Sequence, residues 1–110
     1  MATTYKNAQL QGTAAVTTYG TLYNTGAATT AIISSILVTN TAATSATYRI
    51  GIMGSAGSPA AGQEVVYGST VAANDTVCLT LGITLGNTQY IRVSSSANTV
   101  TFSAYIAEIS

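Results

Sequence analysis

The chain has 110 residues, the size of one domain. Only 5% of them are charged, against about 25% in an ordinary globular protein, and Lys6, Arg49, Arg92, Glu64, Asp75 and Glu108 cancel to a net charge of zero. That balance leaves no basic track for nucleic acid and no attraction to anionic membranes.

In chain order, residues 1–12 show no firm period and read as an N-terminal arm, extended and docked on a neighbour or frayed. Residues 13–110 read as one β-sandwich domain. Thr13–Asn24 is rich in β-branched and aromatic residues, which favours a strand, with a bulge or bend at Tyr19-Gly20 and a turn at Asn24-Thr-Gly26. Ala27–Asn40 is a second strand. Its run Ile32-Ile-Ser-Ser-Ile-Leu-Val38 is apolar on both faces, as in a central strand covered on each side. A polar loop over Asn40–Ala46 leads to Thr47–Gly54, where Tyr48, Ile50 and Ile52 share a face. Residues 55–62 form a loop containing Pro59, and a short strand runs through Val65, Val66 and Tyr67.

The longest clean alternation is Thr76–Leu85. Val77, Leu79, Leu81, Ile83 and Leu85 alternate with Cys78, Thr80, Gly82 and Thr84, the period-two signature of a strand with one apolar face. Asn74-Asp75 before it reads as a turn in which the Asp side chain bonds local backbone N–H. Its small face has the look of a close-packing surface. Gly86-Asn87 invites a two-residue hairpin, but a three-residue loop matches faces better, pairing Ile83 with Ile91 and Leu81 with Val93. These strands pair in that register or sit in opposite sheets. In the last strand, Thr99–Ile109, residues Val100, Phe102, Ala104 and Ile106 share one face. Seven or eight strands with turn signals about every dozen residues, and no helix, give an all-β, single-domain antiparallel sandwich, jelly-roll or immunoglobulin-like in connectivity.

No group of residues demands a reaction. Without histidine there is no Ser–His–Asp triad and nothing to activate Cys78. The three carboxylates lie far apart in sequence, and the glycine-rich stretches lack a phosphate-binding lysine. No catalytic, cofactor or metal residues are assigned. Cys78 alone cannot form an intrachain disulfide, which fits a reducing cytoplasm. Met1–Lys6 lacks the apolar core of a signal peptide, and no apolar run reaches the ~18 residues of a spanning helix. Candidate interaction residues are Tyr5 and Lys6 in the arm, Tyr19 and Tyr23 as exposed aromatics, and Arg49 and Arg92 at mid-strand. Either one of the two arginines pairs with Glu64 or Glu108 across a subunit contact, or they lie on a solvated outer face. Tyr48, on an apolar face, reads as core. With few charges to protect its sheet edges, the free chain should associate with itself or with a scaffold.

The blocks Ala31-Ile-Ile-Ser-Ser-Ile-Leu-Val-Thr-Asn40, Ala46-Thr-Tyr-Arg-Ile-Gly-Ile52 and Ala72-Ala-Asn-Asp-Thr-Val-Cys-Leu-Thr-Leu-Gly-Ile-Thr-Leu85, with Phe102 and Glu108-Ile109, carry a family likeness. Over residues 22–110 the chain resembles small virion structural proteins of tailed bacteriophages, particularly those infecting cyanobacteria. Tyr23-Asn-Thr-Gly26 departs from that pattern, because relatives often have proline after the tyrosine. The resemblance implies a non-enzymatic structural role in a virion assembled in the bacterial cytoplasm. The partners it implies are the major capsid protein or other virion proteins, and further copies of the chain. A capsid decoration or cement protein is the first expectation; a tail, neck or fibre module is the alternative.

Overall fold

The computed structural model describes residues 3–27, 29–55, 57, 59, 62–80 and 82–109. Among them the chain forms nine strands and no helix: β1 (Thr3–Gln11), β2 (Gly20–Asn24), β3 (Thr30–Asn40), β4 (Ala46–Met53), β5 (Glu64–Val71), β6 (Thr76–Leu79), β7 (Ile83–Leu85), β8 (Tyr90–Ser95) and β9 (Val100–Ile109). They build two antiparallel sheets. The five-stranded sheet has the order β1-β9-β3-β6, with β7 also on β3, and the four-stranded sheet has the order β2-β8-β4-β5. Most connections cross from one sheet to the other. The first and last strands lie side by side, and β4–β5 stays within its sheet. With β6 and β7 counted as one interrupted strand, this is jelly-roll wiring.

The core lies between the two inward rows. Val100, Phe102, Ala104 and Ile106 of β9 meet Leu22, Tyr48, Ile50, Ile91 and Val93 of the opposite sheet, all buried. Tyr48 sets its ring edge-on to Phe102, with centroids 6.2 Å apart and planes at 70°, a favoured aromatic geometry. Each such large side chain stabilises the fold by roughly 1.5–3 kcal/mol on burial.

Several expectations are corrected. The segment expected as an arm is β1, paired with β9 without interruption from Thr3↔Ile109 to Gln11↔Thr101. Its alternation is weak because its inward apolar residues, Ala8 and Leu10, are only half-buried at the sheet's rim. Only residues 20–24 of the expected Thr13–Asn24 strand pair as strand, with a bulge between Thr21 and Tyr23. β3 is not covered on both faces: Ile33, Ile36 and Val38 are buried, whereas Ile32 is 42% exposed. The parity of the buried residues changes at Ser34, where an extra residue bulges against β9.

The Thr76–Leu85 alternation is two strands on the same edge of β3. Leu81 lies outside the described residues, and Gly82 at the break has a φ of +59°. Gly82 owes its place to that left-handed backbone, not to close packing, since a Cβ there would meet nothing within 4 Å. The small face of Cys78, Thr80, Gly82 and Thr84 is exposed. β7 and β8 sit in opposite sheets and form no hairpin.

Buried polar side chains close the two ends of the sandwich. Asn40 donates to the Thr44 carbonyl at 2.8 Å, and its Oδ1 accepts from Ala42 N and Thr99 Oγ1. Its backbone N–H donates to the Asp75 carbonyl. Asp75 Oδ1 in turn accepts from Thr76 N at 2.8 Å, as the turn reading required. At the other end Thr25 donates to the Gly86 carbonyl and accepts from Gln89 N. Gly12, just past β1, has no room for a side chain: a Cβ would stand 2.2 Å from Ser95 Oγ and 2.7 Å from the Val100 carbonyl.

Candidate interaction surface

The structure gathers the expected interaction residues into two polar clusters and leaves Tyr5 apart from both. On β9 the inward row continues past Ile106 to Glu108. Its carboxylate accepts from Lys6 Nζ of β1 at 3.0 Å and from the Tyr23 hydroxyl of β2 in the other sheet. These bonds hold the Glu108 carboxyl below its usual range, the Tyr23 hydroxyl first and Lys6 second. Burial, reinforced by Glu108, raises the Tyr23 phenol well above its ordinary value, so it stays protonated as a donor. Lys6, Tyr23 and Glu108 thus pin the two sheets together where β1 passes over β2.

The second cluster lies on the outward face of the four-stranded sheet. Arg49 stacks over the Tyr67 ring at 4.1 Å from its centroid, a cation–π arrangement. The Tyr19 hydroxyl donates to Glu64 at 3.0 Å. The guanidinium pKa is raised chiefly by the neighbouring Tyr19 hydroxyl. Arg92 is engaged within the chain through all three guanidinium nitrogens: Nε donates to the Gly57 carbonyl at 3.1 Å, Nη1 to Thr21 Oγ1 at 2.6 Å and Nη2 to the Tyr19 carbonyl at 3.1 Å. It fastens the segments carrying Tyr19 and Gly57 onto the sheet. Tyr19 and Tyr23, expected as exposed aromatics, are half-buried with occupied hydroxyls. In this cluster Arg49 Nε, Glu64 Oε1 and Ser94 Oγ are buried without a hydrogen-bond partner. Among the described residues no group of three or more metal-ligating side chains comes together.

The outward face of the five-stranded sheet is different. Side chains directly opposite in an antiparallel pair share a face. The registers therefore place Tyr5, Asn7 and Gln9 of β1, Ser103, Tyr105 and Ala107 of β9, and Ile32 and Leu37 of β3 on one surface with Cys78 and Thr84. The chain's charged residues all lie elsewhere: Lys6 and Glu108 belong to the inward rows, Asp75 to a turn, and Arg49, Arg92 and Glu64 to the other sheet. Tyr5 is 82% exposed, and Ile32 and Tyr105 are 42% exposed. These three line a shallow groove of 290 Å³ with Lys6, Ser34, Ile106 and Ala107. The sequence reading missed Tyr105 and Ile32. Their signal was parity: Tyr105 falls between Ala104 and Ile106 of the core row, and Ile32 beside Ile33.

The sandwich edges also differ. β5 carries two register shifts along β4, one spanning Gly68, and β2 is short and bulged. The β6–β7 edge is broken at Gly82. β1 alone is long, unbulged and solvent-exposed along its outward side chains.

Taken together, the strand order of the two sheets defines an all-β jelly-roll sandwich. No family model matches the chain, and no curated protein matches it. A solved structure described as the capsid asymmetric unit of cyanophage Pam1 is similar at 17% identity, over 99% of this chain and 84% of that one, with a TM-score of 0.47. A likeness of that size carries no argument about role.

Proposed function

We propose that the chain is a non-enzymatic structural protein of a bacteriophage virion, a decoration or cement protein that lies on the capsid and stabilises the head. The observation that carries this reading is the charge-free outward face of the five-stranded sheet. Interface cores are depleted of charge and enriched in tyrosine, and the one cation that reaches the groove of this face, Lys6, already has its counter-charge in Glu108. The jelly roll, a wiring shared by capsid and lectin domains, is compatible by analogy only, and the sequence resemblance points the same way. The partners would be the major capsid protein and neighbouring copies.

Removing the gene from a phage that encodes the protein tests this. Heads lacking it should release DNA at a lower temperature than wild type, and intact particles should carry hundreds of copies. Unchanged thermal release sinks the cement role.

A second reading, a tail, neck or fibre module that adheres to the host, is favoured by one observation. Tyr67 is 66% exposed under the Arg49 guanidinium, the pairing of aromatic face and hydrogen-bond donors that suits a polar ligand such as a surface glycan. Under this reading purified protein binds host cells, Tyr67→Ala abolishes binding, and copy number falls to a few tens.

A further inference from the structure

We propose that β1 is a self-pairing edge: two copies of the chain join β1 to β1 antiparallel about a two-fold axis through Asn7, fusing their five-stranded sheets into one. The direction of the free backbone groups comes first. Gly12 N donates to the Val100 carbonyl, which continues the register of β1 on β9. In an antiparallel ladder the mutually bonded pairs alternate. Thr4, Lys6, Ala8 and Leu10 therefore spend their backbone groups on β9, and Thr3, Tyr5, Asn7, Gln9 and Gln11 aim theirs at the open edge. No bulge interrupts this row, unlike the other edges, and such a row is a template for another strand.

The side chains favour a second copy as the occupant. Inward residues must face inward ones across the joint, so only registers centred on a residue are allowed. Centring on Lys6 would set Lys6 against its own copy, a like-charge pair. Centring on Asn7 sets Lys6 opposite Ala8 and brings every free edge residue into a bonded pair: Thr3 with Gln11, Tyr5 with Gln9, and Asn7 with itself. Amide side chains donate and accept at once, so Asn7 complements its own copy. β1 carries no carboxylate, so a basic partner strand would find no counter-charge along it. The joint is isologous and closed, which yields a dimer and not a fibre.

Sedimentation of the purified full chain tests this. Wild type should run at twice its 11.1 kDa mass. Asn7→Pro should run at the single-chain mass with an unchanged circular dichroism spectrum, because a proline whose missing N–H faces outward is tolerated on an edge. In a Cys78→Ser background, Asn7→Cys should form a disulfide-linked dimer under mild oxidation, since facing Cα atoms in a bonded pair lie about 5.5 Å apart, within disulfide reach. Thr3→Cys, opposite Gln11, should not. A single-chain wild type, an Asn7→Pro dimer, or an Asn7→Cys chain that fails to cross-link overturns the proposal.

Discussion

The two outward faces of this sandwich solve opposite problems. The four-stranded sheet carries Arg49, Arg92 and Glu64, and each makes contacts within the chain: Arg92 ties down two chain segments, Arg49 lies on Tyr67, and Glu64 receives Tyr19. The five-stranded sheet has no charge on its outward face and shows Tyr5, Tyr105 and Ile32 to solvent. Charge here is a fastening for the protein's own loops, and under the proposed function the charge-free face is the one left for partners. Substitutions on the first face should therefore act on stability, and those on the second on association.

The largest expected effect is Arg92→Ala. It removes three hydrogen bonds from a charged donor and should cost about 3 kcal/mol of unfolding free energy in urea titration. Proteolysis near Tyr19 and Gly57 should quicken. A loss under about 0.5 kcal/mol would mean that the segments are held by other contacts. Gly12→Ala comes next, at about 2 kcal/mol, because the methyl group must displace both Ser95 Oγ and the Val100 carbonyl. Gly82→Ala should cost about 1 kcal/mol, the strain of a left-handed backbone with a Cβ, whereas Gly82→Asn should cost less.

Glu108 adds a pH signature. Its folded pKa is depressed by Tyr23 and Lys6. The stability it supplies is thus fully present above the unfolded carboxylate pKa and is lost as pH falls through the lower folded value. Glu108→Gln should cost about 1 kcal/mol at neutral pH and flatten the acid limb of the Tm–pH curve. An unaltered limb would assign acid sensitivity elsewhere. The smallest folding effect belongs to the second face. Ser103→Lys should change stability by less than about 0.5 kcal/mol while abolishing attachment to particles. If it destabilises the isolated chain instead, the contrast between the faces collapses.

Much of the fold was legible because inward rows follow a strict period. The β9 row from Val100 to Ile106 and the role of Tyr48 could be read directly. What escaped was set by neighbours distant in the chain. The break at Gly82 and the bulge at Ser34 keep apolar residues inward across three strands whose spacings differ. From the row Ile106–Ile33–Ile83 to the row Ala104–Ile36–Leu79, β9 advances two residues, β3 three and the β6–β7 edge four. No single strand's sequence reveals that mismatch. β1 was missed because a rim strand needs little apolar content. Of the residues singled out for contacts between molecules, Lys6, Tyr23 and Arg92 bond within the chain, to partners on other strands and segments that local pattern does not reach.

The central place of β9 in its sheet has a consequence for how the chain comes together. β1 has no strand to pair with until β9, far along the sequence, has formed, and β3 needs the same strand on its inner flank. Pairings of such long separation carry a large loop-closure entropy and make folding slow, on the order of milliseconds to seconds. During that interval β1 and β3 both offer bare edges. The step to watch in refolding is the docking of β9, and high protein concentration should divert the chain into aggregates before it occurs.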